Sequence, residues 1–255
     1  MILDWPARPG RPVAIRLHAD TGGYALWIED AGWFGIDLEA SEIRLPSRGN
    51  QLRTEERLWG MPSLLMFMHR GDMPLHAGAV EIGGKAVLYT APSKFGKTTL
   101  SAALWTAGHR LLSEDLSRVR LTSQTAVLPG PAMLRVRHDM AERLSISDAI
   151  RVGEDSDRVH FALEVDRRGD SHPVPIAGLV ILREGDEPLL SRVDPATALK
   201  DLWVVTFHLP DRDAIAFSQL GQLVDTVPVW NLVRPLRLDA LPSTITMIER
   251  VANEA

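Results

Sequence analysis

Short alternating segments occupy the first fifth of the chain. Apolar and polar residues alternate at positions 12–17, 24–28, 34–38 and 42–45, and Gly and Asp residues separate these segments. A period of two residues is typical of half-buried strands, so the pattern predicts a small antiparallel layer. The polar segment 46–50 predicts a linker. We therefore expect a small β-rich N-terminal domain, residues 1–50, followed by a larger domain, residues 51–255.

The pattern changes to a helical period after this linker. A helix is predicted from Thr54, its expected cap, to Met68, with its large apolar residues on a core-facing stripe. Farther along the chain the pattern predicts buried strands, hairpin strands and helices. The strands are 85–90, 119–122, 126–128, 176–182 and 229–232, and the helices are 98–105, 139–144, 196–207, 215–224 and one from Pro242.

A Gly-Lys-Thr sequence lies between the strand 85–90 and the helix 98–105. In this order of elements, backbone N–H groups and the open first turn of the helix converge on phosphate oxygens. Lys97 would add a point charge, and the Thr98 hydroxyl would hold Mg²⁺. A solvated tight turn is the alternative, since Ala91 and Lys94 stand where Gly is common. The candidate nucleotide-binding residues are Ala91, Pro92, Ser93, Lys94, Phe95, Gly96, Lys97, Thr98 and Thr99.

Two adjacent acids, Glu114 and Asp115, follow that helix and a short apolar segment. One helix out and one strand back would return them to the phosphates. There one acid could bind Mg²⁺ and the other could accept a proton from an attacking hydroxyl. In isolation, an acidic pair after a strand is more often a solvated loop.

The strand before the Gly-Lys-Thr sequence has its own antiparallel partner. Residues 75–82 read as a strand, and Gly83 and Gly84 form a hairpin turn into the strand 85–90. This hairpin predicts a mixed sheet instead of a purely parallel one. His76 would lie at the open end of the hairpin, where a single histidine is usually structural.

Together, these segments resemble the catalytic core of the HPr serine kinase/phosphorylase family over residues 74–121. The whole chain is similar to the shorter bacterial HPr-kinase-like proteins, which include precursor-peptide kinases of lasso-peptide gene clusters. The resemblance implies an α/β (α+β) fold shared with PEP carboxykinases, with a mixed sheet around a phosphate loop. It implies that Lys97 and Thr98 bind ATP and Mg²⁺, that Asp115 is the catalytic base, that Glu114 is a second, metal-binding acid, and that His76 is functional.

The chain departs from this family at two positions. The family usually has two adjacent aspartates at positions 114 and 115, and this chain has Glu114 in place of the first. The Glu-Ile-Arg-Gly signature is absent, and residues 130–137 occupy its region. The expected phosphoryl acceptor is therefore a serine of a small protein or precursor peptide, and HPr with a phosphorylase reaction is an alternative. Arg135, Arg137 and the predicted loops 148–157 and 166–170 are the expected acceptor contacts. Family members are typically oligomeric, which implies a homo-oligomer.

Composition narrows the remaining classes of protein. The chain has 255 residues, a net charge of −5 and no cysteine, so disulfides and thiolate metal sites are excluded. It has no basic arm, which argues against nucleic acid as a partner, and no apolar run of about 18 residues, which argues against a membrane span. A cytoplasmic kinase is the expectation. A nucleotide-binding regulator without turnover and a phosphate-loop enzyme that hydrolyses nucleotide with water are the alternatives.

Overall fold

The computed structural model describes residues 2–6, 13–47, 49–92, 95–144, 146, 149–163 and 171–254. The chain divides after Asp72 into two compact units. None of the helices in the described ranges is long and apolar enough to cross a bilayer.

The first unit contains a five-stranded antiparallel sheet in which each strand pairs with the next along the chain. This confirms the predicted layer, although its first strand was not predicted. Leu17, Leu26 and Phe34 are fully buried and form the apolar face of the sheet. The strands are β1 (Ile2–Pro6), β2 (Val13–Asp20), β3 (Gly23–Ile28), β4 (Gly32–Asp37) and β5 (Glu42–Arg44).

The predicted single helix from Thr54 to Met68 was wrong, because two helices, α1 (Gln51–Leu58) and α2 (Met61–His69), occupy this region. In a continuous helix Pro62 would have no N–H to donate to the carbonyl of Leu58, and its ring would clash with that group, so the first helix ends before Gly60, whose φ of -97° and ψ of -126° are not helical. The cap of α1 is Asn50, whose side chain accepts a hydrogen bond from the Arg53 N–H. Since α2 packs against β4, both helices belong to the first unit, and the division falls after Asp72 instead of near residue 50.

The second unit contains a mixed sheet of nine strands and a separate sheet of three. Strand β8 pairs antiparallel with β7 and parallel with β15, which confirms the predicted mixed sheet. The strands are β6 (Met73–Leu75), β7 (Gly78–Ile82), β8 (Lys85–Thr90), β9 (Arg110–Ser113), β10 (Ser117–Arg120), β11 (Ala126–Leu128), β12 (Met133–Arg137), β13 (Ala149–Glu154), β14 (Arg158–Leu163), β15 (Val174–Glu184), β16 (Leu189–Arg192) and β17 (Val229–Arg234).

Helices cover both faces of the larger sheet. The helices are α3 (Lys97–Thr106), α4 (His138–Arg143), α5 (Pro195–Trp203), α6 (Asp213–Thr226) and α7 (Leu241–Asn253). On one face α5 and α6 pack against residues such as Leu179 and Ile181, and on the other α3 and α7 pack against Val180 and Leu182. Successive residues of β15 are therefore buried on opposite faces, which explains its continuous apolar sequence.

The predicted loop 148–157 is for the most part strand β13, which pairs with β14 in the three-stranded sheet. The side chains of β13 are mainly exposed, so its sequence is polar and lacks strong apolar alternation. For this reason the sequence pattern did not predict a strand here. The other predicted loop, 166–170, lies outside the described residues.

Candidate active site

The loop between β8 and α3 has the backbone geometry that an anion site requires. Gly96 precedes the helix with φ 72° and ψ 25°, in the left-handed region that favours glycine. No side chain from the described residues caps α3, so its first N–H groups remain open toward a ligand. Ser93 and Lys94 of the predicted loop lie outside the described residues.

Lys97 and His76 both contact one oxygen of Asp115. The Lys97 Nζ lies 2.7 Å from Asp115 Oδ1, and the His76 Nε2 donates to the same oxygen at 3.0 Å. Burial alone would raise the pKa of Asp115, but the His76 hydrogen bond and the charge on Lys97 outweigh it and hold this pKa well below its usual range. Burial lowers the pKa of Lys97, and the attraction of Asp115 opposes that shift.

Glu114 points to a different set of partners. The Thr98 hydroxyl donates to Glu114 Oε1 at 3.0 Å, and the Arg135 backbone N–H and Nε donate to Oε2 at 3.3 and 3.1 Å. The Arg158 Nη1 lies 3.9 Å from Oε1. Arg135, predicted to contact the acceptor, instead holds this buried carboxylate, because β12 passes directly beside it. Its neighbour Arg137 is exposed and pairs with Asp139.

A chain of three buried hydrogen bonding groups positions the two acids. Ser117 donates to the carbonyl oxygen of Ala77 at 2.9 Å and shares a 2.6 Å hydrogen bond with Ser113, which therefore acts as the donor. These serines end β9 and begin β10, so they flank Glu114 and Asp115 on both sides. The short segment that carries the acids is thereby fixed to the residue that follows His76. No local sequence pattern marks either serine.

The backbone of His76 is fixed as well. Its N–H donates to the carbonyl oxygen of Val205 at 2.8 Å, and its own carbonyl accepts from the Thr90 hydroxyl at 2.8 Å. Thr90 is the last residue of β8, immediately before the loop. These bonds bring His76 to the loop from the open end of the hairpin, as predicted.

One cavity of about 1370 Å³ opens beside these groups. Ala91, Pro92, Gly96, Lys97, Thr98 and Thr99 of the predicted nucleotide-binding set line it, together with His76 and Asp115. Phe95 packs into the apolar core instead, and Glu114 lies behind Thr98. Residues of the small sheet and of α4 also line the cavity, including Arg137, Arg143 and Arg158.

The chemistry of Thr98 and Glu114 fits a magnesium ion. Mg²⁺ prefers oxygen ligands, and in an octahedron with metal to oxygen distances of about 2.1 Å, adjacent ligand oxygens lie about 3 Å apart. The Thr98 Oγ1 and Glu114 Oε1 are separated by 3.0 Å. Both atoms could therefore serve as neighbouring ligands after small adjustments of the hydroxyl proton.

Arg234 is a further cavity residue that sequence analysis missed. It is the last residue of β17, a strand that was predicted only as far as Leu232. The signal was available in principle, because parallel strands end at a common edge of the sheet and that edge carries the loop after β8.

The known proteins that are similar to this chain share one name, HPr kinase. Over 97 residues the chain is 32% identical to the HPr kinase/phosphorylase of Limosilactobacillus reuteri strain DSM 20016, and equally to that of L. reuteri subsp. reuteri strain JCM 1112. The comparison supports an HPr-kinase-like family. The predicted resemblance is thus confirmed, while no family model matches the chain.

The HPr-kinase-like match is partial in extent. It includes 38% of this chain and 30% of the length of each relative. Among solved structures, the HPr(Ser) kinase/phosphatase of Coxiella burnetii matches with a TM-score of 0.38 and 14% identity, over 71% of this chain and 99% of that one.

Proposed function

We propose that this protein is an ATP-dependent kinase that transfers the γ-phosphoryl group to a serine hydroxyl of a small protein or peptide. The observation that supports this proposal most directly is the convergence of Lys97, Asp115 and His76 at the cavity wall beside the open end of α3. Such a site combines a cation for phosphates with a carboxylate for a hydroxyl proton. The HPr kinase/phosphorylase relatives support the same class of reaction.

Nucleotide binding would rest on Lys97 and the first turn of α3. The Lys97 ammonium is nearly buried and is already held by Asp115, so it needs little ordering to meet a phosphate. Phosphate oxygens would compete with Asp115 for this ammonium. The loop and the core of the fold would then correspond to the phosphate-loop core shared with PEP carboxykinases.

Thr98 and Glu114 would hold a magnesium ion. When bound, Mg²⁺ neutralises the negative charge on the phosphates. Arg135 and Arg158 lie beside the Glu114 carboxylate and orient it toward Thr98. This arrangement explains why a buried acid is tolerated at this position.

Asp115 would be the base. In the ligand-free protein the lowered pKa of Asp115 keeps its carboxylate ionised but weakly basic, and this carboxylate would become a stronger base once phosphates draw Lys97 away from it. The serine oxygen would form a bond to the γ-phosphorus as the bond from phosphorus to the bridging oxygen of the β-phosphate breaks. The hydroxyl proton would pass to Asp115, and ADP would leave. His76 would orient the carboxylate through its contact with Oδ1.

The size and charge of the cavity support a second substrate. Its volume exceeds the range of about 300–1,000 Å³ typical of small-molecule sites, so it has room for a nucleotide and part of an acceptor. Arg137 and Arg143, which also line the cavity, would favour an acidic acceptor segment. We propose a peptide, such as a lasso-peptide precursor, ahead of HPr, because the Glu-Ile-Arg-Gly signature is absent. Cysteine-free composition suits a cytoplasmic location.

Mass spectrometry can test the activity and the acceptor together. The protein, ATP and Mg²⁺ would be incubated with HPr, with a serine-containing acidic peptide, and with neither. Phosphate added to a peptide serine supports the proposal, and labelling of HPr alone would contradict the choice of a peptide. Fast release of phosphate without any acceptor would indicate an enzyme that uses water. Nucleotide binding without any transfer would indicate a regulator.

Asp115→Asn should preserve nucleotide binding and lower single-turnover transfer by at least about a hundredfold, since an amide cannot accept the proton. The exposed Asp225 of α6 provides the control, and Asp225→Asn should transfer at the wild-type rate. Near-normal transfer by Asp115→Asn would exclude Asp115 as the base.

A further inference from the structure

Arg234 occupies an unusual position at the edge of the larger sheet. In the sheet register Thr90 lies level with Ile181, and Ile181 lies level with Asn231, so β17 continues three residues beyond the end of β8. This extension carries Arg234 to the loop before α3. Its side chain is 3% exposed, and it contributes to the wall of the cavity.

The guanidinium touches the loop through backbone oxygens. Its Nη2 donates to the carbonyl of Phe95 at 2.8 Å and is 3.4 Å from that of Gly96. A Cβ at Gly96 would lie 3.1 Å from the same nitrogen, so a side chain there would press against the guanidinium. Arg234 therefore stabilises the loop conformation that leaves the N–H groups of α3 open.

No anion balances the charge of Arg234 in the described part of the chain. No carboxylate there lies within ion-pair distance of it, and its buried Nε has no hydrogen bond partner. Accordingly, burial lowers the pKa of Arg234, with no neighbouring acid to oppose the effect. The other cavity cation that is buried, Lys97, has Asp115 beside it.

A buried guanidinium without a counter-ion is costly, and loop support alone does not account for it. A neutral donor could make the same bonds to carbonyl oxygens. An arginine has five N–H donors in a fork that suits phosphate, and the loop contacts use the donors of a single nitrogen. The charge and the remaining donors thus call for an anion from the cavity.

We propose that Arg234 binds the phosphate chain of the nucleotide, as a second cation in addition to Lys97. This rests on the proposed function, since it takes the cavity as the nucleotide site, and it adds a residue from the far end of the chain to that site. The ligand chemistry is a di- or triphosphate. Arg234 would thereby couple the position of the loop to the presence of phosphate.

Inorganic pyrophosphate is a suitable probe, because it contains the phosphate chain without the base or the sugar. No phosphoryl acceptor is added in this binding experiment. Its dissociation constant would be measured by calorimetry for the wild type, Arg234→Met, Arg234→Lys and the control Arg192→Met. Arg192 lies on the neighbouring strand β16 over the Trp230 ring and does not line the cavity. The increase in melting temperature on adding pyrophosphate would be recorded for each protein.

Arg234→Met should weaken pyrophosphate binding by at least about tenfold, as expected for the loss of a charge-assisted hydrogen bond. Arg234→Lys should be intermediate, because it keeps the charge and loses the fork. Arg192→Met should match the wild type. If Arg234→Met does not fold, the Arg234→Lys protein decides, and wild-type affinity in that variant would contradict the proposal.

The proposal and the kinase function can fail separately. Wild-type pyrophosphate affinity in a folded Arg234→Met protein would reduce Arg234 to a loop support, even if that protein transfers phosphate. Arg234-dependent pyrophosphate binding in a wild-type protein without transfer activity would retain the anion site and refute the kinase. A wild type that binds neither pyrophosphate nor ATP would overturn both.

Discussion

Lys97 and Asp115 neutralise each other in the ligand-free protein. Their 2.7 Å contact lets a nearly buried ammonium persist without a phosphate, because the Asp115 carboxylate supplies the opposite charge. Each charge is therefore already placed for its proposed partner. This pairing at the level of single residues follows from no local sequence pattern, because the two residues are separated by a helix and a strand.

We expect Lys97→Ala to reduce ATP affinity by at least about tenfold and to abolish measurable transfer, since the phosphates lose a cation in a poorly solvated site. Calorimetric titration with ATP and Mg²⁺ measures the affinity. The exposed Lys200 of α5 provides the matched control, and Lys200→Ala should bind as the wild type does. Unchanged ATP affinity in folded Lys97→Ala protein would refute the phosphate-loop assignment.

Among the elements, the connection between β9 and β10 is the one that places the acids. Ser113 donates to Ser117, and Ser117 donates to Ala77, so the connection is fixed to the residue that follows His76. Both serine side chains are buried, and removal of the Ser117 hydroxyl would leave a buried carbonyl and a buried hydroxyl without this partner.

Ser117→Ala should therefore lower the free energy of unfolding by about 1–3 kcal/mol and lower kcat several-fold, with little change in ATP affinity. A purely structural role would leave kcat of the folded fraction unchanged. Urea unfolding and steady-state kinetics measure the two effects. Ser123→Ala, in the exposed connection between β10 and β11, should change neither quantity.

In the first unit, α1 is tied to the sheet by an ion pair. Arg57 donates to both oxygens of Asp30, at 2.9 and 2.5 Å, and this hydrogen bonding lowers the pKa of Asp30 despite an opposing effect of burial. A lowered pKa in the folded state stabilises the protein above the unfolded value, near 3.8, and this contribution is lost as pH falls through the folded value.

Asp30→Asn should thus lower the free energy of unfolding by less than about 1 kcal/mol at pH 7, because the pair is partly exposed and screened by solvent. The difference from the wild type should shrink below pH 4. Urea unfolding at pH 7 and pH 3 measures it, with Glu29→Gln as an exposed control. An equal difference at both pH values would show that the ion pair is not its source.

The elements that the sequence predicted well are those determined by local periodicity. The hairpin at Gly83 and Gly84 and the helix after Gly96 are in this class. The two helices after Asn50 and strand β13 were missed, because a proline in a helical pattern and an exposed strand weaken the periodic signal. In the site, the motif residues were identified, whereas Ser117 and Arg234 were not, since their roles depend on contacts with distant parts of the chain.

At the scale of the whole molecule, every proposed site residue belongs to the unit that begins at Met73. The sheet of the first unit has its own buried core, with Leu17, Leu26 and Phe34 fully enclosed. Nucleotide binding should therefore order the second unit and leave β2, β3 and β4 as they are. This separation is a consequence of where the loop, the acids and Arg234 lie in the chain.

Hydrogen exchange with and without ATP and Mg²⁺ can measure this separation in the full chain. We expect slower exchange in the first turn of α3, in the segment with Glu114 and Asp115, and at the end of β17, because bound phosphates order the groups that contact them. Amides of β2–β4 should exchange at the same rate in both conditions. If the amides of β2–β4 slowed as much as those of α3, the first unit would also respond to nucleotide, which would contradict this prediction. Lys97→Ala should remove the protection of α3, which would attribute it to the phosphate site instead of to a general effect of ATP.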